Sequence, residues 1–380
     1  MDTSSVEVLR VDTERLNINF AHPEAGAEIR AAFDAIAGKG YVPPLAPERV
    51  TVEVKGVPTA VPNALRRVVK DEMVGHCLTF DSSDLDRKES TDPFMLNEMF
   101  IRTRIQMIRL RPQISESIKK DLRLALDAKN SGTTVMSVYA GDLVLTGGEL
   151  SEPIFNPTCE IASLQPGKTL KISNIRVSEG RGSDNGAFTV AIRSVSKPLD
   201  LEEFPTSDTH PAGAKASRVS GFKISSLVAN PRRHQISFII PAAPRGRDVG
   251  VVVFLEACRS ILGRLRYIQI ALENSQNDSS RRSTKIYFLS TPDGGRTKGV
   301  LGVAGETHTI GNLLARAVYE LMPDIGYVGY TCIPHEGEMR LTVAHSVSEP
   351  SELRVAVLRA VKHCTGIFNK IQSDTRKLSS

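Results

Sequence analysis

Tryptophan is absent from the 380 residues, and Phe and Tyr bring the aromatic share to only 5%. A stacking platform for single-stranded nucleic acid depends on exposed aromatic rings, so that class is disfavoured. Cysteine is sparse as well. Cys77, Cys159, Cys258, Cys332 and Cys364 are odd in number, widely spaced and free of any CxxC pair. That pattern argues against a secreted disulfide framework and against a four-cysteine zinc site. Long apolar runs are missing: the best, Val249 to Leu255, ends at Glu256, far short of the ~20 residues that span a bilayer. The N-terminal MDTSSVEVLRVDTERLN lacks the basic and apolar regions of a signal peptide, so an intracellular protein is expected. Nor is one charge sign in strong excess. Lys and Arg number 48 against 43 Asp and Glu, a net +5. This mild surplus permits nucleic-acid contact without arguing for it, because dedicated binders concentrate their charge.

What is present has the texture of an ordinary globular protein, long enough for two or three domains. Residues 1–48 read as an extension with a short helix near Ala25–Ala37 and the breaker GKGYVPPLAP. VTVEVK (50–55) alternates like a half-buried strand. Helices are expected from about Asn63 to Val74 and from Leu96 to about Met107, with a strand-like piece at Cys77–Phe80 and an acidic loop between. From Pro112 to about Ser217 a helical stretch (Glu116–Ala128) gives way to short β segments punctuated by turns, suggesting a separate strand-rich lobe. ISFII (236–240) is a strand, followed by a long amphipathic helix from about Asp248 to Leu272. ENSQNDSSRRST (273–284) has linker composition. A compact block closes the chain: a strand at Lys285–Leu289, a glycine-rich loop, a helix from Asn312 to about Met322, strands at Tyr327–Cys332 and Met339–Ala344, and a helix from Ser351 to Ile371.

The two short helices echo each other. VPNALRRVVKDEMVG and IGNLLARAVYELMPD align without gaps, sharing Asn63/Asn312, Leu65/Leu314, Arg67/Arg316, Val69/Val318 and Met73/Met322. Leu, Val and Met recur at i, i+4 and i+8, one apolar stripe per helix. Asn63 and Asn312 stand where an N-cap is expected. Arg67 and Arg316, two residues past the leucine, are expected to face away from the stripe. A duplicated fold paired within one chain fits this pattern better than two unrelated modules.

Three tempting chemistries are declined. ASLQPGKT (162–169) ends like a phosphate-binding loop, but Ala162 replaces the required glycine and strand-like sequence follows. Asp81, Asp84 and Asp86 lie in a loop with no rigid strand to hold two metal ions. Cys332, His335 and His345, with His308 or His363, lack the paired spacing of a zinc site. Neither a GxSxG elbow nor HExxH occurs. No catalytic residue, cofactor or metal is assigned.

GETHTIGNLLARAVYELMPDIGYVGYTCIPHEGEMRLTVAH (305–345), with its closing helix, resembles the small dimerising subunit of multisubunit RNA polymerases: the eleventh subunit of the eukaryotic enzyme and the archaeal L subunit. VPNALRRVVKDEM (61–73) and ANPRRHQISFII (229–240) resemble the larger partner, the third eukaryotic subunit, archaeal D and the bacterial alpha N-terminal domain. The resemblance implies an α+β fold, with two alpha-subunit-type dimerisation domains paired within one chain and a strand-rich inserted domain. Its expected layout is an extension at 1–48, the larger-partner domain at 49–112 and 217–272, the insertion at 113–216, a linker at 273–284 and the smaller-partner domain at 285–380. Such fusions are a feature of large DNA viruses, which implies a viral source, with the virion and the host cytoplasm or nucleus as location.

The resemblance further implies a non-catalytic platform on which two large catalytic RNA polymerase subunits and other small subunits assemble. DNA would be contacted only through the complex, with no membrane and no homo-oligomer. Carried over by position, Asn63, Ala64, Leu65, Arg66 and Arg67 would form the larger partner's helix at the interface with a catalytic subunit. Gly311, Asn312, Leu314 and Arg316 would be the counterpart in the smaller half. Arg66 and Arg67 are expected to meet the large subunits, since guanidiniums suit polar protein recognition. The runner-up is a stand-alone basic nucleic-acid-binding scaffold, motivated by a pI near 8.9 and by IRTRIQMIRLR (101–111).

Overall fold

The computed structural model describes residues 5–16, 44–90, 97–199, 232–246, 248–274, 285–293, 296–322, 324–333, 336–345 and 350–379. The helix expected at Ala25–Ala37 and most of the linker lie outside the described residues, as do residues 200–231, which include the end of the expected insertion.

The fold is α+β and its plan is doubled. In the first half, β1 (Glu7–Arg15), β2 (Leu45–Lys55) and α1 (Ala60–Arg67) are followed, after an inserted lobe, by β9 (Arg193–Pro198), β10 (Arg233–Pro244) and α4 (Val249–Asn274). In the second half, β11 (Ile286–Asp293), β12 (Arg296–Ala304), α5 (His308–Leu321), β13 (Tyr327–Ile333), β14 (Glu338–His345) and α6 (Pro350–Ser379) follow without interruption. The sheet orders correspond strand for strand: β1-β2-β10-β9 and β11-β12-β14-β13, antiparallel throughout.

Alternation decides which face of each sheet is buried. Val50, Val52 and Val54 of β2 pair with Phe238, Ile236 and His234 of β10, and all are buried. Leu301 and Val303 of β12 pair with Leu341 and Met339 of β14 in the same arrangement. The long helices cover these faces. Phe254 of α4 stacks on Phe238 with ring centroids 6.3 Å apart. Against α6, α4 runs antiparallel: Gln372 donates to the Leu255 carbonyl at 3.5 Å, and Lys362 meets Glu273 at 2.9 Å. Their buried stripes align at constant spacing, with Phe254, Ala257, Cys258, Ile261, Leu265 and Ile268 matched by Val357, Ala360, Val361, Cys364, Phe368 and Ile371. Both halves thereby share one continuous hydrophobic core.

The inserted lobe has its own core. Its main sheet runs in the order β3-β8-β4-β6, namely Val74–Thr79, Thr169–Arg181, Arg123–Lys129 and Val144–Gly147. The pair β5 (Met136–Tyr139) and β7 (Glu160–Leu164) and the helices α2 (Glu98–Gln106) and α3 (Glu116–Asp121) complete it. Leu78, Phe80, Ile101, Ile105, Leu126, Ile161 and Ile172 are buried together there.

Several sequence expectations are corrected. Residues 7–15 are no appendage, because β1 pairs along β2 from Glu7↔Lys55 to Arg15↔Glu48. The lobe begins near Val74 rather than at 113, since β3 pairs with β8, and β9 already belongs to the first sheet. The helix expected over 116–128 stops at Asp121, after which RLALDAK alternates and pairs as β4. The glycine-rich loop is instead strand β12. Gly299 leaves room for Phe288 and Gly302 for Tyr287, so aromatic rings of β11 fill the space where side chains would stand. The last helix runs on to Ser379.

Candidate assembly interface

Asn63 and Asn312 do not cap their helices. Thr59 precedes α1 at the N-cap, and Thr307 does so for α5, its hydroxyl accepting from the Thr309 N–H at 3.3 Å. Pro62 is tolerated in the first turn of α1, where its missing N–H costs no helical bond. Asn63 lies inside the helix, and its carbonyl oxygen accepts from Arg66 Nε at 3.1 Å and Nη2 at 3.0 Å, steering that guanidinium along the helix surface. The two helices bury the same positions. Ala64, Leu65, Val68 and Val69 match Leu313, Leu314, Ala317 and Val318, all inside the common core. Gly311 is buried beneath the Tyr330 ring, which would overlap any side chain there. Of the expected interface residues, Ala64, Leu65, Gly311 and Leu314 therefore hold the helices from beneath. Asn63, Arg66, Arg67, Asn312 and Arg316 are half-exposed.

Arg67 does not face away from the rest of the chain, which corrects the expectation from helical spacing. Its Nε donates to Thr309 Oγ1 at 2.9 Å and lies 3.7 Å from Glu72 Oε1. The reason is tertiary: α1 packs against the start of α5, so the direction opposite the apolar stripe is occupied by the other half. Arg316 keeps closer to its own helix, bonding Glu320 at 2.9 Å and lying over the Tyr319 ring at 5.6 Å. Glu320 also meets Arg232 at 3.3 Å.

Sequence reasoning missed the charged cluster at the seam. The first helix ends in a π turn, Val68–Glu72, closed by the Met73 N–H on the Val68 carbonyl at 3.0 Å. The widened turn delivers Glu72 to the junction, whereas α5 ends on an ordinary α bond from Met322 to Val318. Glu72 meets Arg264 of α4 at 2.5 Å and accepts from Thr307 at 3.1 Å and from Thr309. Arg264 Nε also donates to both carboxylate oxygens of Glu306, at 2.9 and 3.0 Å. The three side chains are only 9%, 20% and 11% exposed for Glu72, Arg264 and Glu306. Burial by itself raises the Glu72 carboxyl, but the Thr309 hydroxyl and Arg264 outweigh it and hold the group below its usual range. Each residue is an unremarkable charge in its own segment, so no local signal marked it.

A second buried acid, Glu48 of β2, sits at the start of α4. Its Oε1 accepts from the Gly250 N–H at 2.6 Å, and Arg15 lies 3.1 Å from Oε2. Burial pushes its carboxyl up against the opposing pull of that N–H and of Arg15.

The declined motifs find ordinary roles. Gln165 to Lys168 form a turn with Gly167 at φ +72°, leading from β7 into β8. Asp81 and Asp84 pair with Arg176 at 2.7 and 3.5 Å, and Asp86 accepts from the backbone of Lys88 and Glu89. Cys332 lies half-buried on β13, while His335 falls outside the described residues.

No family model matches the chain. It is 35% identical over 367 residues to the "DNA-directed RNA polymerase RPB3-11 homolog" of African swine fever virus from a Kenyan pig isolate, covering 96% of each protein. The chain belongs to this family of RPB3-11 homologs. A tick isolate from Malawi supplies another member, 36% identical over 338 residues, covering 88% of this chain and 89% of its relative. The doubled fold, with its two sheets of corresponding strand order, is compatible with the two-part name of the family.

Proposed function

We propose that this RPB3-11 homolog is the non-catalytic assembly platform of a DNA-directed RNA polymerase, on which two large catalytic subunits and further small subunits gather. The observation that most supports it is the doubled sheet-and-helix plan sharing one core, an intrachain pseudo-heterodimer, in a chain aligned nearly end to end with polymerase homologs. Asn63 and Asn312 offer half-exposed polar groups at equivalent places on α1 and α5, and with the half-exposed Arg66 and Arg316 they would meet the large subunits. Ala64, Leu65, Gly311 and Leu314 would shape that surface from below, and Arg67 would brace it from the seam. DNA would be reached only through the complex, in a viral setting within the host cell.

The test is affinity purification of the tagged chain from its source, with identification of the co-purifying proteins. Two large polymerase subunits in stoichiometric amount are expected. Tight DNA binding by the purified chain alone, with a steep salt slope, would instead favour the stand-alone scaffold, because many phosphate contacts release many counterions.

A further inference from the structure

The doubled fold has two equivalent seams, and they differ in chemistry. At one seam, a cavity of about 260 Å³ is lined by Ser260, Arg264, Gly305, Glu306 and Thr307, with Arg67 and Glu72. At the twin seam, a cavity of about 460 Å³ is lined by His363, Ile367, Gly56 and Pro58, with Lys55 and Arg232. The alignments of α4 with α6, and of α1 with α5, make these the same positions: Ser260/His363, Arg264/Ile367, Gly305/Gly56 and Thr307/Pro58. Glu306 corresponds in this way to Val57, and Thr309 to Ala60, both buried in the apolar core. The Arg264–Glu306 pair thus has no counterpart at the twin seam, where those positions hold Ile367 and Val57 and the ion pair across the halves is a different one, Arg232 with Glu320.

We propose that the Glu72–Arg264–Glu306 cluster selects how the halves pair, accepting a second half against a first half and rejecting two copies of the same half. Pairing of two first halves would set Arg264 against Val57 and Arg67 against Ala60, without Glu306 or the Thr309 hydroxyl. Pairing of two second halves would set Glu306 against Ile367, a carboxylate buried without its cation. The first arrangement leaves Arg264 and Arg67 to share Glu72 alone, and the second leaves Glu306 with no cation, whereas the native pairing matches every member. A duplicated fold needs such a device because its apolar stripes match closely enough to pair wrongly, and during synthesis the first half emerges before the second. The inference concerns pairing within the chain and does not rest on the polymerase reading.

The test co-refolds two differently tagged full-length variants, Glu306→Arg and Arg264→Glu. Each alone places like charges together at its own seam. Exchanged between chains, Glu306 of one meets Arg264 of the other, and the reversed pair forms in the second seam. Light scattering after size exclusion and sequential capture on both tags should reveal a 1:1 mixed dimer of twice the chain mass. That species should be absent when either variant is refolded alone and in a wild-type mixture carrying the same two tags. The proposal is overturned if both variants refold alone as monomers with the wild-type melting temperature. It is equally overturned if the mixture yields no more mixed dimer than the wild-type pair, whether or not each variant folds by itself.

Discussion

Gly56 and Gly305 end equivalent strands, β2 and β12, with nearly the same left-handed backbone, φ +80° and +77°. Their surroundings differ. A side chain on Gly56 would run into the backbone of Ser5 and Val6, whereas nothing lies within 4 Å of the space beside Gly305. The same turn is thus crowded in one half by the strand at the N-terminus and open in the other.

Alanine at these two glycines separates strain from collision. Gly305→Ala should cost about 1–2 kcal/mol, the penalty of a left-handed non-glycine residue. Gly56→Ala should cost clearly more, because the β1 entry must also move. Urea midpoints of the two variants check this, and equal losses would refute the crowding at Gly56.

Leu65 and Leu314 occupy the same buried stripe position. Leu65→Asp or Leu314→Asp places a carboxylate in apolar surroundings, at a cost of several kcal/mol. Either should lower the melting temperature sharply. A wild-type melting curve would contradict the shared core.

Arg67→Glu and Arg66→Glu should behave differently despite being neighbours. The first sets a carboxylate beside Glu72 and removes the bond to Thr309, so it should destabilise the chain by about 1–3 kcal/mol. The second loses only the local contact to Asn63 and should leave the melting temperature within a degree or two. It should, however, weaken recovery of the large subunits in pull-down if the proposed interface is right.

Acid titration should show two opposed contributions. The Glu72 carboxyl is held low in the native state, so its stabilisation is complete above the unfolded value of about 4.3 and is lost as pH falls through the lowered native one. The Glu48 carboxyl is raised by burial, so its effect has the reverse sign. Native stability falls as pH climbs from about 4.3 through the raised value, where the buried group ionises. Relative to wild type, Glu72→Gln should therefore lose least at low pH, and Glu48→Gln should gain as pH rises from 4 to 7. Denaturation midpoints across that range would test both slopes.

Much of the architecture was legible because it is written in local periods. The alternation of VTVEVK and ISFII, the stripes of α4 and α6, and the gap-free echo between VPNALRRVVKDEM and IGNLLARAVYELM all appear in the folded chain as one buried face per element. Legibility failed where a neighbour distant in sequence decides the outcome. The glycines of β12 read as a loop until the rings of Phe288 and Tyr287 are seen to occupy their space. Asn63 and Asn312 suit an N-cap chemically, yet Thr59 and Thr307 take that position because the helices begin earlier. The polar β1 passed for an extension since an edge strand needs only one buried side, and its partner β2 lies across a long connection.

The sequence by itself determined the doubling, the soluble-type composition and the buried stripe of each helix, since these depend on residues within a turn or two of one another. Only the tertiary structure decided that the two sheets share a strand order, that Arg67 turns inward to Thr309, and that Arg264 meets Glu306 across one seam while its twin uses a different ion pair, Arg232 with Glu320. The physical reason is distance along the chain. Glu72, Arg264 and Glu306 acquire their meaning from meeting in a buried place, where a charge must find its partner, and nothing in the segments that carry them specifies that encounter.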